Sequence, residues 1–105
     1  MKFLVFVRTK DLFLGLPQEK QIKLLNETFD FIEKQKRAGH CKEIYYTPGY
    51  KGTVSIWEVE TSEELTLRFL ENPMNLFEEA QIYLLSDWGA FMGTAKKMYR
   101  QMLAK

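Results

Sequence analysis

The segment Gly39–Leu65, GHCKEIYYTPGYKGTVSIWEVETSEEL, constrains this chain more than any other. It predicts a helix stop, a strand, a turn, a second strand and a capped helix start, in that order. Cys41–Thr47 and Thr53–Glu60 are rich in β-branched and aromatic residues, and Pro48-Gly49-Tyr50-Lys51-Gly52 lies between them. So short a glycine-bearing connection makes the pair a hairpin. Gly39 suits the left-handed residue that closes a helix. Thr61, with Glu64 three residues on, forms a capping box for the next helix.

The flanks complete the pattern. Lys2–Arg8 is a run of apolar and β-branched residues that predicts a strand with both faces covered. Thr9–Leu16 is expected to be a loop, although Leu12, Phe13, Leu14 and Leu16 are unusually apolar for one. Such a loop serves as a pocket lid or an intersubunit contact. Pro17 fits the first turn of a helix, where its missing N–H costs nothing. From Gln18 to Arg37, Ile22, Leu25, Phe29 and Ile32 recur on one helical stripe. After Thr61, Leu65 and Phe69 line a second helix, which Asn72-Pro73 ends. Ala80–Leu85 predicts a fourth strand. Beyond Asp87, Trp88, Phe91, Met92, Ala95, Met98, Tyr99 and Met102 recur at helical spacing, so a C-terminal helix is expected from about residue 90.

The chain has 105 residues, the size of one domain. Residues 1–86 form the domain proper, and residues 87–105 a C-terminal helical extension of it. Hydrophobic residues make up 46% of the chain, more than a small interior hides, which points to an interface. The net charge of +1 gives no pull toward nucleic acid or an anionic membrane. Residues 58–87 nevertheless hold eight acids against one base, and residues 88–105 hold four bases and no acid. These are either two solvated faces or two surfaces that dock. Cys41 is alone, so an internal disulfide is excluded and a reducing compartment fits. The start, MKFLVFVRTK, is too short in apolar length for a signal-peptide core or a membrane span, so a cytoplasmic protein is expected.

Two βα units with a hairpin between them give an α+β, ferredoxin-like βαββαβ fold: a four-stranded antiparallel sheet with helices on one face. Alternation tests this. Val54, Ile56 and Glu58 share one side of the third strand, and Thr53, Ser55, Trp57 and Val59 share the other. Phe3, Val5 and Val7 oppose Leu4 and Phe6 in the first. Helices cover one face only, and the second is too apolar for water. A second copy of the sheet covers it, giving a dimeric α/β barrel, and the C-terminal helix is a candidate to lie on a neighbouring protomer.

Arg37–Ile82 resembles the muconolactone delta-isomerase family. The resemblance rests on Gly39, the strand–Gly49–strand block, Ser55-Ile56-Trp57-Glu58-Val59, Leu65, and Pro73 leading into the last strand. The opening strand from Met1 fits as well, and residues 87–105 lie outside the resemblance. It implies an oligomeric barrel with a pocket near the dimer interface, and proton transfer within an unsaturated lactone without metal or cofactor. The chain departs from the isomerase at Tyr46, where a basic residue is expected, and at Tyr50, where a His is expected.

A cofactor-free proton shift needs a base near neutral pKa and a donor for the developing enolate. His40 is the only His, and either acts as that base or is an ordinary polar residue beside a helix-stopping glycine. Glu43 and Tyr45 share a strand face and form a candidate acid–base pair, or a solvated edge. Ser55 shares a face with Trp57, which either stacks on a flat ligand or fills the barrel. Tyr50 guards a pocket mouth or is a plain turn residue. The expected site is therefore catalytic Glu43, Tyr45, His40 and Ser55, with Trp57, Tyr50 and Phe13 binding substrate and no metal. No phosphate-binding glycine loop, nucleophile elbow or histidine cluster is present in the sequence. Heme-degrading and quinol-oxidising barrels share the same outline. Two functions follow: a small isomerase-like enzyme acting on a small organic acid or lactone, or a non-catalytic barrel that binds a ligand or serves as an oligomeric scaffold.

Overall fold

In the computed structural model, which describes residues 1–104, the elements run β1 (Lys2–Thr9), α1 (Asp11–Leu14), α2 (Gln18–Arg37), β2 (Cys41–Thr47), β3 (Gly52–Glu58), α3 (Ser62–Leu70), a 3-10 turn at Asn75–Phe77, β4 (Glu78–Leu85) and α4 (Trp88–Leu103). Lys105 lies outside the described residues. The four strands form one sheet in the order β2-β3-β1-β4, and every neighbouring pair is antiparallel. This is the α+β, ferredoxin-like arrangement expected from the order of elements.

Local chemistry sets the boundaries. Gly39 closes α2 with φ 82°, a left-handed conformation that glycine adopts without steric cost. Thr61 caps α3 by accepting a hydrogen bond from the Glu64 N–H at 3.1 Å, and the Glu64 carboxylate reaches back to the Glu60 N–H at 2.9 Å. Asp87 caps α4 in the same way, accepting from the Ala90 N–H at 2.9 Å. At Gly52 a β-carbon would stand 1.9 Å from the Val7 carbonyl oxygen, so only glycine lets the hairpin approach β1 this closely.

Register then sorts the side chains. Phe3 pairs with Trp57 and Leu84, and Val5 with Ser55 and Ile82, so these share the face that α2 and α3 cover. The core gathers there: Phe3, Val5, Cys41, Trp57, Val59 and Leu65 are buried together. Leu4 pairs with Ile56 and Tyr83, and Phe6 with Val54 and Gln81, on the opposite face. No described helix covers that second face, which leaves an apolar concavity of about 670 Å³ lined by Leu4, Phe6, Thr47, Tyr50, Gln81 and Tyr83.

Three expectations need correction, and the course of the last helix adds a fourth observation. β4 begins at Glu78 rather than Ala80, because the 3-10 turn delivers the chain into the sheet earlier and Glu78 pairs with Thr9. β3 ends at Glu58, where its pairing with Lys2 ends. The apolar stretch 9–16 is not simply a loop: Asp11–Leu14 forms a short helix that buries Phe13 against Phe77, with ring centroids 6.2 Å apart, and leaves Leu12 and Leu14 exposed. α4 does not pack on its own sheet, and none of its residues is buried. Its two-residue connection, Ser86 and Asp87, instead sends it outward, and the chain spans 66 × 28 × 22 Å.

Candidate active site

A mostly apolar cavity of about 60 Å³, bordered by several polar side chains, lies between the covered face of the sheet and the two helices. Val7, Ile32, Ile44, Trp57 and Phe69 give it apolar walls, and Thr28, Thr53, Ser55, Asn72 and Glu78 give it polar ones. Burying polar groups is unfavourable unless they are paired, so their arrangement carries information. A space this size holds a few waters and widens only if its walls move.

Glu78 reaches the cavity by strand alternation. Residues 78, 80, 82 and 84 of β4 share the helix side of the sheet, and Glu78 is the innermost of them. Desolvation by burial raises its carboxyl from 4.5 to about 7. Asn72, at the end of α3, holds it in place: Nδ2 donates to Glu78 Oε2 at 3.3 Å, while Asn72 Oδ1 accepts from the buried Met74 N–H at 3.0 Å. The second bond settles which way the amide points. Ser55 Oγ accepts from Trp57 Nε1 at 2.9 Å, which leaves the hydroxyl proton of Ser55 to donate elsewhere. Trp57 is 1% exposed and meets Phe69 edge-on at 5.2 Å between ring centroids. One wall therefore carries a carboxyl poised near neutrality, and another a hydroxyl fixed by an indole.

The residues singled out from sequence divide into separate places. Ser55 and Trp57 line this cavity. Glu43 and Tyr45 do not: they pair with Ile56 and Val54 on the open face, where the Tyr45 hydroxyl donates to Glu43 Oε2 at 3.3 Å, exposed to solvent. A register shift between Cys41 and Glu43 puts Cys41 on the covered side and both Glu43 and Tyr45 on the other. Tyr50 lines the open concavity, with the Arg8 guanidinium 5.9 Å from its ring centre. His40 sits at the far end of the sheet, its Nδ1 2.8 Å from Gln35 Oε1 and its Nε2 3.7 Å from Glu64 Oε1. Phe13 is buried against Phe77 and does not line the cavity. Hence the sheet itself separates Glu43 and Tyr45 from Ser55 and Trp57, and one pocket does not hold all four.

Glu78, Asn72 and Thr28 escaped the sequence reading, and Thr53 was placed on the face of Ser55 and Trp57 without a role. Asn72 passed for a helix stop and Glu78 for one acid in an acidic stretch. The signal was there: continuing the alternation of Leu84, Ile82 and Ala80 back by one step puts a carboxylate on the core side. Among the described residues no group of three or more His, Cys, Asp or Glu stands together as metal ligands. No described helix is long and apolar enough to cross a membrane.

Comparison with protein-family models gives no match, and comparison with curated proteins gives none. Solved structures do match. A crystal structure of muconolactone isomerase superposes with a TM-score of 0.71 at 18% identity, over 83% of this chain and 90% of the isomerase. The 5-chloro-2-hydroxyhydroquinone dehydrochlorinase of Burkholderia phenoliruptrix AC1100, solved with 2,5-dihydroxybenzoquinone, superposes with a TM-score of 0.66 at 15% identity, over 86% of this chain and 98% of that one. At these identities it is the fold that is shared, and the chain has the ferredoxin-like α+β fold of muconolactone isomerase.

Proposed function

We propose that the protein is a small-molecule enzyme of the muconolactone isomerase type, which moves a proton without a cofactor in the cavity between sheet and helices. One observation carries this reading: the Glu78 carboxyl and the Ser55 hydroxyl border the same enclosed space, each held by a neighbour, Asn72 and Trp57. In this reading Glu78 takes a proton from a carbon next to a carbonyl, exchanges it with water, and delivers a proton to the far end of the resulting dienolate. Ser55 donates to the carbonyl oxygen as it becomes an enolate. A carboxyl near pH 7 suits both halves of that exchange. Trp57 and Phe69 offer aromatic walls to a flat ring, and the quinone held by the similar dehydrochlorinase supports a small ring as ligand class. The described lining includes no Lys, Arg or His, which favours a lactone over an organic acid whose carboxylate would face Glu78 unpaired.

The open sheet face supports a homodimer in which two sheets pack face to face as an α/β barrel. The unpaired Cys41, buried beneath α2, suits a reducing, cytoplasmic setting. To test the catalytic reading, a panel of β,γ-unsaturated five-membered lactones is incubated with the protein in D2O and followed by NMR. The expected result is isomerisation with deuterium incorporation, slowed about 10²- to 10⁴-fold in Glu78→Gln. Binding without exchange would leave a ligand-binding barrel. Unchanged turnover in Glu78→Gln would move the chemistry away from this cavity.

A further inference from the structure

The least economical part of the molecule is α4. A 12.5 kDa chain folded compactly exposes about 6,200 Å², whereas this one exposes 7948 Å². Its radius of gyration is 18.1 Å, against about 13 Å for a compact chain of this length. The excess, on the order of 1,800 Å² on one chain, exceeds the roughly 800 Å² that each partner buries in a standard protein–protein interface. Much of it belongs to α4, a helix about 24 Å long at 1.5 Å per residue. Trp88, Phe91, Met98, Tyr99 and Met102 are all more than half exposed, yet they fall on one stripe. Lys96, Lys97 and Arg100 stand on the rest of the helix, with no acid among its residues. A face of this kind is buried in the working form of a protein.

A surface that matches it exists on the same fold. On β4 the helix-side residues Ala80, Ile82 and Leu84 form an apolar strip that α2 and α3 leave exposed. α3 carries the exposed acid Glu63, and Glu71 just past its end is paired with Arg68 at 3.0 Å. A helix laid along the strip would extend the helical layer by one member. The two-residue connection sends α4 away from its own strip. We propose that α4 is an exchange arm, docking on the β4 strip of a second copy of this chain while the partner's arm docks in return. The proposal is independent of the chemistry assigned to Glu78.

Trp88 gives a direct readout, because Trp57 is buried in the single chain while Trp88 is 68% exposed. The full chain is diluted in steps while light scattering reports mass, and tryptophan emission and acrylamide quenching report Trp88. The expected result is a protected, blue-shifted Trp88 in the oligomer that becomes accessible as the mass falls. The double variant Phe91→Asp/Met98→Asp, on an arm that supports nothing else in its own chain, should raise the dissociation constant at least tenfold with unchanged circular dichroism of the sheet. Ile82→Asp, in the strip, should do the same. Three results would overturn the proposal. The first is a Trp88 that stays protected in the diluted monomer, showing that the arm folds back on its own chain. The second is a double variant that assembles as the wild type does. The third is a Trp88 that stays accessible in the oligomer and becomes protected only on adding phosphatidylglycerol vesicles, making the arm a membrane anchor.

Discussion

The two faces of the sheet are built from alternate residues of the same strands and have opposite fates. On the helix side Phe3, Val5 and Trp57 are almost fully buried, and Ser55, Asn72 and Glu78 share their cavity or its rim. On the open side Leu4, Phe6, Val54 and Ile56 are half-buried, and Tyr45 and Tyr83 are more than half exposed. Apolar content alone does not separate the two. What separates them is that this chain has helices enough for one face. Apolar side chains on the covered face therefore act in folding, and those on the open face are left to the association proposed above. Polar side chains carry the opposite message: they are ordinary on the open face and costly on the covered one. For that reason the partly buried Glu78–Asn72 pair says more about function than the exposed Glu43–Tyr45 pair.

The comparison breaks most visibly at its two extremes. Trp57→Ala removes the largest fully buried side chain, so a loss of about 3–5 kcal/mol is expected in urea unfolding. Phe6→Asp, on the neighbouring strand but the other face, should leave the unfolding free energy of the monomer within about 1 kcal/mol, in the range of ordinary surface changes. It should abolish the face-to-face dimer in light scattering. Unfolding of Phe6→Asp as severe as that of Trp57→Ala would show that the open face is part of the chain's own core.

Glu78→Gln sharpens the comparison through pH. Burial raises the folded-state carboxyl from 4.5 to about 7. Below pH 4.5 the group is protonated in both folded and unfolded chains, and the stability it contributes is fully present. As pH rises toward 7 the unfolded chain gives up its proton while the folded chain keeps it, so stability falls. Above about pH 7 the loss is complete, at most about 3 kcal/mol from the size of the shift. Glutamine does not titrate, so the variant should lack this decline and melt higher than the wild type at pH 8, with little difference at pH 4. Parallel melting profiles from pH 4 to 8 would show that Glu78 is solvated.

Much of the fold was legible in the residues. Gly39, Thr61 with Glu64 and Pro17 mark helix ends through backbone chemistry that acts locally; the hairpin was legible from its short connection, although its left-handed residue is Lys51, with φ 57°, and Gly52 answers to Val7 of β1. The apolar second face was legible too, because alternation over Lys2–Arg8 and Thr53–Glu60 is a local pattern. The site was less so. Whether Glu43 and Tyr45 meet Ser55 and Trp57 depends on register, and a shift between Cys41 and Glu43 is a property of pairing rather than of either strand. Glu78 was missed because its strand begins two residues earlier than its apolar run. A lone acid before such a run looks like loop. The course of α4 was legible only in part: its apolar stripe marked it as a helix to be covered, with a neighbouring protomer as a candidate, but a periodic stripe does not state which surface covers it.

The smallest expected effect is the most discriminating for the site. Glu43→Gln changes an exposed carboxylate whose one side-chain partner is the Tyr45 hydroxyl at 3.3 Å. A long bond in water contributes little, so stability should move by no more than about 0.5 kcal/mol, as for most surface substitutions. If chemistry takes place on the helix side of the sheet, turnover of any lactone found active should stay within about twofold of the wild type, far from the hundredfold or greater loss typical of a removed acid or base. Glu78→Gln, assayed alongside, should show that loss. A reversal, with Glu43→Gln inactive and Glu78→Gln active, would place the reaction between the two facing sheets. There Glu43 and Tyr45 would be enclosed by a partner's open face, and the face assigned here to association would be the catalytic one.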